Sequence, residues 1–169
     1  IVKHTVLTSL LTVDNNIWFP FFKEKCDNHF QTSFDGLMRG KGYMRAWEKK
    51  IKEAKEANLE IGTISVVNHE LLKDGPVETL EYLSSLGIKE ASFLPFMWNE
   101  QNDGAKYDKF APTMNAWSDF MITLSQHYFD KKNKGEFVPE IGQLSFILHQ
   151  QQQGKYANIA GQTLFLLPD

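Results

Sequence analysis

Hydrophobic and polar positions alternate along the middle of the chain in a way that predicts strands separated by helices. Short apolar runs at residues 30–34, 61–67 and 91–96 each end in polar, glycine or proline residues. Residues 43–57 place apolar side chains at the three- and four-residue spacing of a helix packed on a core, and residues 76–86 form a second helical segment. This β-α-β-α-β order is typical of a parallel sheet, so the sequence predicts an α/β fold.

Further elements are predicted on both sides of this unit. Asp14 or Asn15 is expected to cap one helix and Thr113 another, because their side chains can accept hydrogen bonds from free backbone N–H groups. A loop is expected to begin at Asn68. The remaining predictions are a strand at residues 3–11, a polar loop at 99–109, a helix at 140–150 and a strand at 162–167.

The strand phase predicts which side chains share a face of the sheet. Gln31, Ser33 and Asp35 fall on one face, and bulkier side chains alternate with them. The strands at residues 3–11, 30–34, 61–67 and 91–96 should be parallel neighbours in that order, which places their carboxyl ends at one edge. Ser33 and Asp35 are therefore candidates for binding a small polar ligand. An Asp before a Gly is equally common in a purely structural turn, so both interpretations stay open.

Arg39 and the segment Leu94-Pro95-Phe96 are further candidates for ligand binding. Arg39 stands before a Gly-Lys-Gly turn on the same side of the sheet, where its guanidinium fork suits a ligand carboxylate. A solvated surface arginine is the alternative. Leu94, Pro95 and Phe96 present apolar surface at a strand end, which suits an adenine ring or an ordinary core.

Composition narrows the class of protein. The 169 residues are 42% hydrophobic, which suits one globular domain with a proper core. The net charge of −3 and a pI near 6.0 give no reason to expect a nucleic-acid partner or an anionic membrane surface. No apolar run reaches the roughly 18 residues of a membrane span. The chain begins with Ile, and we expect it to be an internal piece of a larger protein.

The single cysteine and the histidines limit the metal and redox chemistry of the chain itself. Cys26 has no partner for a disulfide within the chain, which suits a reducing cytoplasm. One thiolate cannot hold an iron–sulfur cluster, so a buried structural thiol is the expected role. The five histidines show no ligand spacing, and no metal site is assigned. A Ser-His-Asp arrangement, a Walker loop and a GxGxxG motif are also missing from the sequence.

Several short motifs resemble the radical S-adenosylmethionine (SAM) enzymes, in particular the sulfatase-maturase and peptide-modifying types that continue into a SPASM or twitch domain. In that family the third strand commonly ends in Thr-Asn followed by leucines. The fourth ends in Ser-x-Asp-Gly, followed by Arg-Gly-x-Gly, and the fifth ends in two valines and an Asn. The similar segments here are residues 8–11, 33–36, 39–42 and 66–68, with residues 93–96 resembling the sixth strand.

The resemblance implies a fold and a division of the chain. Residues 1–135 would be the C-terminal part of a partial (β/α)6 TIM-like barrel with parallel strands, from its third strand onward. Residues 136–169 would hold a linker helix and the first strand of a SPASM-like domain. The chain departs from the family in a short spacing between Gly36 and Arg39, and in Ala157, where such domains often have a cluster-binding Cys.

The resemblance also implies an activity and cofactors. Family members use SAM and a [4Fe–4S] cluster to make a 5′-deoxyadenosyl radical that abstracts hydrogen, here from a peptide or small-protein substrate, with an electron donor protein as partner. The CxxxCxxC loop that binds the cluster is absent and is expected upstream of this chain. Ser33 and Arg39 would contact the ribose and methionyl parts of SAM, with the strand around Leu94 near the adenine. The implied cofactor-binding residues are Ser33, Asp35, Arg39, Leu94, Pro95 and Phe96.

Two other functions are weighed against this enzyme. Another barrel enzyme that binds phosphate is disfavoured, because no Gly-rich loop follows the late strands. A non-catalytic binding module derived from the same barrel stays open, because the cluster-binding motif is missing from these residues. The sequence upstream would distinguish the enzyme from the module by the presence or absence of CxxxCxxC.

Overall fold

The strands of the protein form a single parallel sheet. A computed structural model describes residues 4–96 and 109–152, with only the backbone described at 150 and 151. Within these residues the strands follow one another across the sheet in chain order, and every neighbouring pair is parallel. The predicted α/β class and the order of the parallel strands are confirmed. The strands are β1 (Leu7–Thr8), β2 (His29–Ser33), β3 (Glu60–Val66), β4 (Glu90–Leu94) and β5 (Glu140–Ile141).

Helices lie between the strands, and some of them begin at residues whose side chains accept hydrogen bonds from free N–H groups. Asp14 accepts a hydrogen bond from the backbone N–H of Asn16, and Thr113 accepts one from that of Ala116, so the predicted caps are confirmed. The helices are α1 (Asn15–Lys25), a 3-10 turn (Gly36–Arg39), α2 (Lys41–Glu56), α3 (His69–Asp74), α4 (Pro76–Ser85), α5 (Met114–Asn133) and α6 (Gly142–Gln152).

One face of the sheet is covered by helices and the other is more open. In β2, Phe30 and Thr32 are buried, whereas Gln31 and Ser33 alternate with them and are half-buried. The same alternation continues through β4, as expected for side chains that point to opposite faces of a pleated sheet. The predicted strand phase is therefore confirmed.

Aromatic side chains fill the layer between the covered face and the helices. Phe22 of α1 stacks on Phe30 of β2, with 4.8 Å between ring centroids. Trp47 of α2 is fully buried, lies 5.3 Å from the ring of Phe34, and donates its indole N–H to Thr32 Oγ1 at 3.2 Å. Burial of such large rings supplies most of the driving force that holds helices on a sheet.

The first strand is shorter than the sequence predicts. Only Leu7–Thr8 pair with β2, although residues 3–11 were expected to be extended. Thr8 Oγ1 accepts a hydrogen bond from the backbone N–H of Leu10, and Leu10 has a φ of 68°, so the chain turns immediately after the strand. An apolar residue stands at position 10 because that side chain is buried in the core, although the residue does not belong to a strand.

Two other local predictions are wrong. The residues after Asn68 form helix α3 rather than a loop, because the Asn68 side chain caps that helix. Glu140–Ile141 form strand β5, which pairs with β4, and the helix expected at residues 140–150 begins at Gly142 instead. A two-residue strand carries too short a pattern to be recognised from sequence.

Some sequence predictions lie outside the described residues. These are most of the loop at 99–109, Ala157 and the strand at 162–167. The proposed domain boundary between residues 135 and 136 stays a prediction. None of the helices in the described ranges has the length and apolar character needed to cross a bilayer.

An ion-pair cluster joins helices α4 and α5. Glu81 of α4 accepts hydrogen bonds from Lys131 Nζ at 2.7 and 2.8 Å, and its Oε1 lies 2.6 Å from His127 Nε2. Lys131 also lies 3.3 Å from Glu136. The hydrogen bond from Lys131 is the main cause that lowers the pKa of Glu81 below its ordinary value.

We predict that this cluster makes stability depend on acid pH. Because the pKa of Glu81 is lower in the folded protein than in the unfolded chain, its contribution is present above the unfolded pKa and is lost as the pH falls from about 5 to 3. Urea unfolding across this interval should show a smaller loss of stability for Glu81→Gln than for the wild type. Glu56→Gln, at an exposed position on α2, is the control. A Glu81→Gln slope equal to that of the wild type would contradict the prediction.

Candidate functional site

A cavity of about 640 Å³ opens at the carboxyl edge of the sheet. It lies where β2, β3 and β4 end, and the 3-10 turn after β2 forms one of its walls. Its volume falls within the range of about 300–1,000 Å³ that small-molecule sites occupy in proteins. The lining residues are Asp35, Met38, Arg39, Val66, Leu94, Pro95 and Phe96.

The structure brings together five of the six residues that the sequence analysis assigned to cofactor binding. Ser33 is the exception, since it does not line the cavity. It is half-buried in β2 beside Ile64, on the open face rather than in the helix-covered layer, so its role stays a prediction. The five residues that line the cavity are Asp35, Arg39, Leu94, Pro95 and Phe96.

Sequence reasoning missed two lining residues, Met38 and Val66. Val66 lies two residues after Ile64 in β3, so the strand phase carried the signal for its position. Met38 enters the cavity through the 3-10 turn, which apolar periodicity does not reveal. Gly36 makes that turn possible: its φ is 59°, and an added Cβ would lie 2.9 Å from Leu71 Cδ2.

A close ion pair joins the two charged residues of the cavity. Arg39 Nη2 lies 2.5 Å from Asp35 Oδ2, with the Asp35 side chain 6% exposed and that of Arg39 38% exposed. Despite this distance, Asp35 Oδ2 has no donor with hydrogen-bond geometry among the described residues. The pair is therefore held by charge rather than by an aligned hydrogen bond, and most guanidinium N–H groups keep their capacity to bind a ligand.

Arg39 is also held by an aromatic neighbour. Its Nη1 donates a hydrogen bond to the Tyr43 hydroxyl at 3.2 Å, and the guanidinium carbon lies 5.1 Å from the centre of the Tyr43 ring. Tyr43 lies in the first turn of α2, one turn after Arg39. These contacts keep the guanidinium at the cavity rather than free in solvent.

Asn68 braces the strand ends that carry the cavity. Its side chain is fully buried and donates to the carbonyl oxygens of Asp35 at 3.2 Å and Val66 at 3.1 Å. Its Oδ1 accepts hydrogen bonds from the backbone N–H groups of Glu70 at 2.9 Å and Leu71 at 3.2 Å. One side chain thus ties the end of β2 to the end of β3 and caps α3.

Within the described ranges, no group of three or more His, Cys, Asp or Glu residues is placed to hold a metal ion. Cys26 is the C-cap residue that follows α1 and is 4% exposed, so its predicted burial is confirmed. Burial raises the pKa of its thiol, which disfavours the thiolate that binds metals. Iron–sulfur ligands are therefore not supplied by this part of the chain.

The cavity combines a cationic fork with apolar walls. Arg39 offers several N–H donors to a carboxylate, and Asp35 supplies the charge that orients it. Leu94 is 43% exposed, and Pro95 and Phe96 beside it are half-buried, so apolar surface faces the same space. Such a site suits an amphipathic small molecule that carries a carboxylate at one end and a flat ring at the other.

We predict that Asn68→Ala lowers the free energy of unfolding by about 2–4 kcal/mol, because α3 loses its cap and two strand-end carbonyls lose their donor. Urea unfolding followed by circular dichroism measures this loss. Asn115→Ala, at an exposed position of α5, is the control and should change stability by no more than about 0.5 kcal/mol. Equal effects of the two substitutions would show that Asn68 does not brace the strand ends.

Comparison with known proteins identifies a likeness of fold. No protein-family model matches the chain, and no curated protein matches it. Among solved structures, the chain is similar to native anSMEcpe, a radical SAM sulfatase maturase, with bound AdoMet and Cp18Cys peptide. The TM-score is 0.75 at 14% sequence identity, over 92% of this chain and 45% of that one. The chain spans less than half the length of that protein and has an α/β fold similar to it.

Proposed function

We propose that this chain is the C-terminal part of a radical SAM barrel, in an enzyme that modifies a peptide or small protein. The observation that carries the proposal is the cavity at the carboxyl edge of the sheet, where five residues assigned to SAM from sequence lie together. The likeness of fold to anSMEcpe, whose structure holds AdoMet and a peptide, supports it.

The lining residues fit the chemistry of SAM. Arg39 would bind the methionyl carboxylate through its guanidinium fork, and Asp35 would keep that fork in place. Leu94, Pro95 and Phe96 would pack against the adenine, a flat ring that gains from apolar contact. Ser33 lies on the open face at the end of β2, near the same edge of the sheet. Its hydroxyl would donate a hydrogen bond to the ribose.

The proposal places the cluster ligands upstream of this chain, since Cys26 is its single cysteine and is buried. Those ligands would hold a [4Fe–4S] cluster, which when reduced would supply the electron for cleavage of SAM. The residues described here would bind and orient SAM and keep water from it. No residue of the chain is assigned a catalytic role, and an electron donor protein would be the redox partner.

The open face of the sheet suits a peptide substrate. His29, Gln31 and Ser33 lie along it in β2, and Ser92 lies in β4. His29 Nε2 is buried without a hydrogen-bond partner among the described residues, 3.6 Å from Glu90 Oε2. A peptide backbone presents N–H and C=O groups that can satisfy such side chains.

The proposal keeps the division of the chain predicted from sequence. Residues 1–135 would belong to the barrel, and residues 136–169 would contain a linker helix and the start of a SPASM-like domain. A cytoplasmic location fits the single cysteine and the oxygen-sensitive cluster that the enzyme would need.

We predict that Arg39→Ala weakens SAM binding by the intact polypeptide about tenfold, or about 1.4 kcal/mol, because the charge-assisted pair with the methionyl carboxylate is lost. Calorimetric titration with SAM measures the change. Arg45→Ala removes the same charge at an exposed position of α2 outside the cavity, and should leave the affinity unchanged. Equal affinities of Arg39→Ala and wild type would remove Arg39 from the SAM site.

We also predict that the intact polypeptide, reconstituted anaerobically with iron and sulfide, releases 5′-deoxyadenosine from SAM under a strong reductant. The 169-residue chain alone should release none, because its one buried thiol cannot support a cluster. Chromatography of the reaction products measures both. A cluster-loaded intact polypeptide that forms no deoxyadenosine, with candidate peptides present, would favour the non-catalytic binding module instead.

A further inference from the structure

A second cavity, of about 430 Å³, lies on the helix-covered side of the sheet. We call it the outer cavity. It shares no lining residue with the cavity at the carboxyl edge, although the two meet at the 3-10 turn: Gly36 and Leu37 line the outer cavity, whereas Met38 and Arg39 line the other. Its lining residues are Phe34, Gly36, Leu37, Met44, Glu48, Asp74, Glu78, Thr79 and Tyr82.

The outer cavity is acidic. Three carboxylates, Glu48, Asp74 and Glu78, line it, and no Lys or Arg is among its lining residues. Asp74 closes over Gly36, where an added Cβ would lie 3.6 Å from its Oδ2. Partial burial raises the pKa of Asp74, the nearby charge of Glu70 raises it further, and the charge of Lys73 opposes both without cancelling them.

A buried hydroxyl in the same cavity has no partner. Thr79 is 3% exposed and lines the cavity, yet its Oγ1 makes no hydrogen bond among the described residues. Buried hydroxyls nearly always form a hydrogen bond within the protein, because they can no longer form one with water. A donor that enters the outer cavity would supply the partner that Thr79 lacks.

The remaining walls suit the stem of a ligand. The Tyr82 hydroxyl donates to Glu48 Oε1 at 2.5 Å, which leaves the second oxygen of that carboxylate with capacity for another donor. Phe34 is buried behind the cavity, and Leu37 is 39% exposed at its rim. Apolar carbon groups would cover this surface while a charged end group reaches the carboxylates.

We propose that the outer cavity binds a guanidinium or ammonium group carried on an apolar stem, either as a free amine or as an Arg or Lys side chain of a peptide. Such a group offers several N–H donors to the carboxylates and the hydroxyl that line the cavity, and its stem would cover Phe34 and Leu37. Anions are disfavoured by the charge of the lining. A metal ion is disfavoured because no group of acidic or histidine residues converges closely enough in the described ranges.

The test uses the intact polypeptide and two probes. Agmatine presents a free guanidinium on a four-carbon stem, and acetyl-Gly-Arg-Gly-amide presents the same group on a peptide. We expect at least one to bind, with NMR shift changes centred on Leu37, Met44 and Thr79. Binding of agmatine alone would identify a free amine as the ligand class, and binding of the peptide would identify a side chain. The citrulline peptide, which has the same shape without the charge, should bind at least tenfold more weakly.

Matched variants distinguish binding at a specific site from non-specific electrostatic attraction to the acidic surface. Thr79→Val removes the hydroxyl with little change of shape and should weaken binding several-fold, whereas Thr79→Ser should retain it. Asp74→Asn should weaken binding about tenfold, and Glu56→Gln, which removes the same charge elsewhere, should not. Urea midpoints of the variants check that each is folded.

The proposal would be overturned by no binding of either probe at millimolar concentration, by equal binding of the citrulline peptide, or by equal effects of Asp74→Asn and Glu56→Gln. Shift changes centred on Arg39 and Phe96 would also overturn it, because they would place the probe in the other cavity. The proposal does not depend on SAM, since the two cavities have no lining residue in common.

Discussion

The carboxyl edge of this sheet depends on one buried amide, the side chain of Asn68. Parallel strands end without a turn that joins them directly, so something must hold neighbouring ends at a fixed separation. Asn68 does this by donating to carbonyls at the ends of β2 and β3 while it accepts the first N–H groups of α3. The hydrogen bonds to the Asp35 carbonyl and from the Leu71 N–H are buried and the other two are partly buried, so water competes little for them and loss of a partner is costly.

The strand phase is what made much of the fold and site predictable from sequence. Alternation in β2 separates Phe30 from Gln31, and parallel order then brings Asp35, Arg39 and Leu94 to one edge without any knowledge of side-chain contacts. Ser33 shows the limit of this reasoning. A side chain can have the right phase, in the right strand, and still fall outside a cavity that is lined by the turn after that strand.

Features that arise from contacts between residues far apart in the sequence could not be predicted from it. The outer cavity joins Phe34 and Met44 to Thr79 and Tyr82, which are brought together only when α2 and α4 pack on the sheet. Strand β5 is equally hidden, because two residues cannot show a period, and its pairing with β4 defines it. The sequence predicts a loop from Asn68 because the same residue types, Asn among them, are common both at helix caps and in loops.

The 3-10 turn Gly36–Arg39 is a wall common to two cavities, with consecutive residues facing opposite ways. The turn begins at Gly36, with a φ of 59°, and is followed by Gly40, with a φ of 85°. Leu37, Met38 and Arg39 are consecutive residues of this one short turn, so we expect a displacement of Leu37 to move its two neighbours as well. A ligand that shifts this turn from one cavity would then change the affinity of the other cavity for its own ligand. Thermodynamic reciprocity requires that the second ligand change the affinity of the first by the same factor.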